Sequence, residues 1–150
     1  MSGYDINIQI VPAVQYTGTG FYSFGQTRSL GVRGIQKLVN VYAKCLLTPV
    51  GSDPTDLTYG TILTNLIGSN VGLDDAREIL LTSLDTATLF VRGMQATDTG
   101  VPDDERLANV TLTDFIFIEE APGFAAQIFI QNVANQGLTF LLPTLTVKAD

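Results

Sequence analysis

Over residues 5–10 polar and apolar positions alternate, with Ile6, Ile8 and Ile10 set against Asp5, Asn7 and Gln9. That period of two is the mark of a strand with one buried face. After Pro12 comes "YTGTGFYSFG", rich in aromatics and in glycines that permit tight bends. Exposed aromatics without a partner are adhesive. Residues 1–28 are therefore expected to form an extended arm, either docked on a neighbouring subunit or folded back on its own domain, with a plain first strand as the other reading. Tyr16, Phe21 and Tyr22 are the arm's candidate contacts.

From Val32 to Leu47 the period changes. Val32, Ile35, Leu38, Val39, Tyr42 and Leu46 step by three and four, one face of a helix of about four turns. Thr48-Pro49 should end it, because the residue before proline avoids helical backbone angles. A shorter helix is expected over Tyr59 to Ile67, closed by Gly68. A long third helix opens at Asp74-Asp75, where the helix dipole favours negative charge. Its stripe is Ala76, Ile79, Leu80, Leu84, Ala87, Val91 and Met94. Three strands follow, Leu107–Glu119, Phe124–Val133 and Leu138–Val147, broken by "EAPG" (120–123) and "ANQG" (134–137). Each break carries a glycine suited to a left-handed position in a hairpin loop. In the middle strand Ala126, Ile128 and Ile130 should face inward, with Gln127 and Gln131 opposite. Pro143 predicts that the last strand lies at an edge or is bulged there. The fold expected is α+β: the arm, then one domain over 29–150 of about three helices packed on a small antiparallel sheet, mixed at its edge.

Composition sharpens this outline. Charged residues are 15% of the chain, against about 25% in ordinary soluble domains. So thin a charge suggests a surface covered by subunit contacts; a hydroxyl-rich monomer is the alternative. The net charge of −7, with eight Lys and Arg in all, disfavours nucleic acid, which needs clustered cations. No apolar run approaches the roughly 18 residues of a membrane span, and the start lacks the pattern of a secretory signal. The expected setting is a cytoplasm, or a particle assembled in one.

Candidate chemistry is sparse. There is no histidine and a single cysteine, Cys45. The commonest general base, the commonest zinc ligand and any disulfide are therefore missing. No phosphate-binding or dinucleotide fingerprint is present, and no cofactor or metal is expected. The carboxylates Asp103-Asp104-Glu105 and Glu119-Glu120 could in another setting serve as acid and base. Here they fall at turns, where carboxylates are ordinarily solvated. Arg106 beside the first cluster could pair across an interface.

One segment is dense in turn chemistry: "TPVGSDPTDLTYG", residues 48–60. Thr48, Pro49, Gly51, Asp53, Pro54, Tyr59 and Gly60 are its structural positions. The prolines restrict the backbone, and the glycines supply conformations that other residues resist. Leu57 and Tyr59 are expected to pack between helices, so that the loop sets the angle between the first two. No basic residue lies inside it to hold an anion.

With "GIQKLVNVYAKCLLTPVGSDPTDLTYGTIL", then "AREIL" and "PDDERLANVTL" before a sheet, the chain resembles the baseplate wedge or tail sheath initiator family of contractile phages, to which a type VI secretion baseplate component is related. The resemblance covers roughly residues 32–147 and rests most on Leu47 and the loop positions above. It departs at the end of the long helix, where many members carry Glu-Pro-Arg and this chain reads "LFVRGMQATD"; no contact of that triplet carries over. Some members have been labelled lysozyme-like, which the missing histidine and the turn positions of the acidic pairs do not support.

The resemblance implies a structural, non-enzymatic virion protein of the tail baseplate, assembled in the host cytoplasm. Its implied partners are other wedge proteins, the tail sheath protein and tail tube or hub proteins, with no nucleic acid and no membrane. The last strand, through Leu138, Phe140, Leu142, Leu145 and Val147, would accept a strand from the first sheath ring, since an exposed sheet edge bonds to any extended segment. An ordinary edge strand blunted by Pro143 and Lys148 is the plainer reading. A neck or tail-completion ring protein, a chaperone-like binder of a virion protein and a small hydrolase are the alternatives.

Overall fold

The computed structural model describes residues 32–66, 71–118 and 123–146. The arm expected over 1–28, with Tyr16, Phe21 and Tyr22, lies outside the described residues, as does Val147. Within them the fold is α+β, with two α-helices and a three-stranded antiparallel sheet.

Helix α1 spans Ile35–Leu47. It begins three residues later than its apolar period suggests, because Gly34 sits at φ 65°, a left-handed angle that cannot continue a helix. It ends at Thr48, whose extended backbone precedes Pro49 as expected. Leu38, Val39, Tyr42, Cys45 and Leu46 are buried. Helix α2, Leu73–Thr97, opens with Asp74 and Asp75 in its first turn. Ala76, Leu80, Leu84, Ala87 and Val91 are buried along it, and Ile79 packs half-buried beside them. Met94, the expected end of this stripe, is instead exposed. The adjacent Gln95 bonds inward in its place, donating to the Glu105 carbonyl and accepting from Leu107 N–H, both at 2.8 Å. Tyr42 joins the helices through the core: its hydroxyl donates to the Leu84 carbonyl (2.8 Å) and contacts Thr88 Oγ1 (3.1 Å).

The short helix expected over Tyr59 to Ile67 does not form. Among its described residues, 59–66, the one helical turn is a four-residue 3₁₀ turn, Leu63–Leu66. Tyr59 N–H bonds back to the Asp56 carbonyl, and Thr61 closes a loop, donating to the Thr48 carbonyl and accepting from Val50 N–H, so no α-helix starts at Tyr59.

Strands β1 (Leu107–Ile118), β2 (Gly123–Asn132) and β3 (Gly137–Thr146) form a meander in the order β1-β2-β3. β2 is central and alternates as expected, with Phe124, Ala126, Ile128 and Ile130 buried. The apolar residues of β1 that pack on the core fall at 107, 110, 112 and 115, a spacing no regular strand can put on one face. Register shifts between Leu107 and Asn109, and between Leu112 and Asp114, each add a residue to β1. These bulges keep Leu107, Val110, Leu112 and Phe115 against the core. β3 does the same once: Phe124 pairs with Leu145 but Ala126 with Leu142, so the extra residue falls at Pro143-Thr144. The last strand is thus both at an edge and bulged at its proline, as expected.

The turn after β2 departs from expectation. Its left-handed residue is Asn135 (φ 63°), not the glycine. Gly137 opens β3 for a different reason: the Phe129 ring lies over it, and a Cβ there would come within 2.2 Å of the ring.

Candidate functional site

The segment from Thr48 to Thr61 is a closed loop. Val50 N–H donates to the Thr61 carbonyl (3.1 Å) and Thr61 N–H to the Thr48 carbonyl (2.9 Å), with a parallel bridge between Pro49 and Thr61. The two ends are therefore zipped together. Thr61 Oγ1 donates to the Leu46 carbonyl (2.6 Å) and Thr48 Oγ1 to the Lys44 carbonyl (2.5 Å), satisfying acceptors that the end of α1 leaves open. Gly60 makes the crossing possible. At φ 109° its Cα lies so close to the other strand of the loop that a Cβ would stand 2.3 Å from the Thr48 carbonyl oxygen. Gly51, at φ 84°, turns in open space.

Between these ends the loop bonds to itself. Asp53 Oδ1 accepts from Thr55 N–H (2.8 Å) and Thr55 Oγ1 (2.6 Å), and Asp56 Oδ1 accepts from Thr58 in the same two ways (2.9 and 2.6 Å). The threonine donors hold both carboxyls below the usual carboxylate range. Ser52 Oγ donates to the Pro49 carbonyl at 2.7 Å. Tyr59 anchors the loop to α2, its ring meeting Phe90 edge-on with centroids 5.2 Å apart. Leu57 does not pack between the helices: it is 66% exposed. Cys45 lies buried beneath, and burial pushes its thiol pKa up, away from a reactive thiolate.

A second cluster forms where Pro102 to Leu107 meets the start of α1. Glu105 is not a solvated turn carboxylate. Its side chain is 7% exposed; Oε1 accepts from Gly34 N–H (3.3 Å), and Oε2 pairs with Lys37 Nζ at 2.8 Å. Arg106 does not pair with the carboxylates beside it. Its guanidinium donates to the carbonyls of Gln95 (3.4 Å) and Val101 (3.0 Å). Asn132 Nδ2 donates to the Asp104 carbonyl (2.7 Å), and Val133 N–H donates to the Arg106 carbonyl (2.9 Å), which draws the β2–β3 turn into the same knot. Lys37, Gln95 and Asn132 were not singled out from sequence. The available signal was Lys37, one of two lysines in an otherwise uncharged apolar helix.

The third feature is the outer strand β3. Leu138 is half-buried, while Phe140 and Leu142 are 2% exposed and belong to the core. Leu145 stands opposite Phe124 in the ladder. A segment adding to this strand would meet backbone groups along the edge; the side chains of Phe140 and Leu142 are already engaged from within. Leu141, 39% exposed, faces out.

An open groove of about 690 Å³ runs between β1 and the first turn of α2, lined by Leu73, Arg77, Leu112, Asp114, Phe115 and Ile116 among others. Among the described residues no group of three or more His, Cys, Asp or Glu could hold a metal, and no helix is long and apolar enough to cross a membrane. Compared with known protein families and with curated proteins, the chain matches no family model and no curated sequence.

Proposed function

We propose that this chain is a structural subunit of a contractile-tail baseplate, joining wedge subunits and anchoring the first ring of tail sheath through its β3 edge. One observation carries the reading. The residues on which the resemblance to sheath initiators rests are those that build the closed loop: Thr48 accepts the crossing hydrogen bond, Pro49 forms the bridge, and Gly60 leaves the space for both. A loop held so tightly by its own backbone, with no convergent catalytic groups in it, serves to keep a surface in shape. β3, lying at the sheet's edge with a regular ladder from Gly137 to Leu142, suits strand addition. In the same reading the arm over 1–28 docks on a neighbouring subunit.

The test is assembly. Tails built without this chain are expected to carry a baseplate and tube but no attached sheath, and tagged full-length chain is expected to copurify with wedge and sheath proteins. Removing residues 138–150 would be uninformative, because it strips Phe140 and Leu142 from the core. Amide exchange of the intact chain is the sharper probe: protection should rise along 137–142 when sheath protein binds. Sheath of normal length and attachment in its absence would end the reading, and rings formed by the purified chain alone would favour a neck protein.

A further inference from the structure

We propose, building on the baseplate reading, that the 48–61 loop is a preformed knob, with Leu57 entering an apolar socket rimmed by lysine or arginine on a neighbouring wedge subunit and Val50 and Ile62 meeting its edge from the loop's base. Among the described residues, three exposed large hydrophobics fall within residues 50–62: Leu57 at 66%, Val50 at 47% and Ile62 at 39%. Single exposed apolar residues are ordinary on protein surfaces, and Leu89 on the outer side of α2 is one such case. The loop differs in being locked. Its polar side chains are spent on one another, Asp53 with Thr55, Asp56 with Thr58 and Ser52 with Pro49. Its backbone is zipped at the base. A surface already in its bound shape gives up little conformational entropy on docking.

Charge names the occupant. Between residues 48 and 66 there are two carboxylates and no Lys or Arg. Each aspartate is fixed by its threonine and lies at the surface, where its charge is open to a cation. Lys44, at the end of α1, is the cation that acts on Asp53. An apolar tip flanked by two fixed negative charges is complementary to an apolar socket with a basic rim.

The experiment uses tagged full-length chain co-expressed with the wedge proteins of the same tail. Leu57→Asp, at an exposed position, should leave the melting temperature unchanged and cut recovery of the wedge partner about tenfold or more, as loss of an interface anchor does. Asp53→Asn with Asp56→Asn keeps the acceptor oxygens that shape the loop and removes only charge; it should weaken capture and flatten its dependence on salt. Undiminished capture by both variants, with wild-type chain binding wedge normally, would overturn the knob and leave the baseplate reading standing. Failure of wild-type chain to capture any wedge protein would end the baseplate reading, and the knob with it.

Discussion

Residues 51–59 and 102–107 are both short, proline-marked and rich in acid, and each joins two elements. In the first, the carboxylates reach two residues along the chain, Asp53 to Thr55 and Asp56 to Thr58, and remain at the surface. In the second, Glu105 reaches back across the sequence to Gly34 and Lys37 and is buried. Serine, threonine and aspartate in "GSDPTD" offer short-range partners that close a turn at once. "PDDER" offers none of that kind, so Glu105 is free for a distant cation and the start of a helix, where its charge also suits the dipole. Whether an acidic turn shapes itself or ties the fold together thus depends on which donors lie within two residues of it.

The sharpest break of that comparison is at Glu105. Glu105→Ala should destabilise the chain by about 3–5 kcal/mol in urea unfolding, because Lys37, its side chain 17% exposed, is left charged without its partner. Adding Lys37→Met to Glu105→Leu should recover most of that loss, since the buried charge then disappears with its partner. A Glu105→Ala chain as stable as the parent would mean that this turn is as local as the other.

The loop breaks elsewhere, through its backbone. Gly60→Ala places a methyl 2.3 Å from the Thr48 carbonyl oxygen and 3.0 Å from Pro49 C and Val50 N, all main-chain atoms with nowhere to go. With the strained φ added, the expected cost is about 2–3 kcal/mol. Gly51→Ala carries a strained φ but meets nothing within 4 Å, so about 1 kcal/mol is expected. Chemical denaturation of the two variants measures the difference, which is the contribution of the crossing itself. Equal losses would show that the loop's closure is not what Gly60 provides.

These positions also mark where sequence alone sufficed. α1, α2 and the three strands follow from periodicity, and Thr48-Pro49 ends α1 for a local reason, the clash of proline with helical backbone. The bulges were half visible: the three-residue steps 107–110, 112–115 and 142–145 break a strand's period, and only the ladder shows which strand absorbs the extra residue. The apolar spacing over 59–67 suits a helix, but Tyr59 N–H turns back to the Asp56 carbonyl and the backbone bonds of Thr61 go to Thr48 and Val50, which no local pattern shows. In the candidate site Pro49, Gly51 and Gly60 were legible as backbone devices. The exposure of Leu57 and the burial of Glu105 were not, since each is set by partners, or their lack, that no local pattern encodes.

The smallest expected effect separates the turns by pH. Asp53 and Asp56 titrate below the ordinary carboxylate range because Thr55 and Thr58 donate to their charged forms. A carboxyl with a lowered folded pKa stabilises the fold above its unfolded value, about 3.9, and that contribution is lost as pH falls through the lower folded value. The bonds that shape the loop tip should therefore be fully present at neutral pH and weaken only below about pH 4. The amide resonances of Thr55 and Thr58, which donate to these carboxylates at 2.8 and 2.9 Å, should titrate with midpoints below 3.9. They should do so while the ring contact of Tyr59 and Phe90 at the loop's base still holds. Asp53→Asn with Asp56→Asn should remove both transitions and leave the fold intact. Midpoints at or above the ordinary aspartate value would show that the threonine donors do not hold these carboxylates, and that the tip is looser than its hydrogen bonds imply.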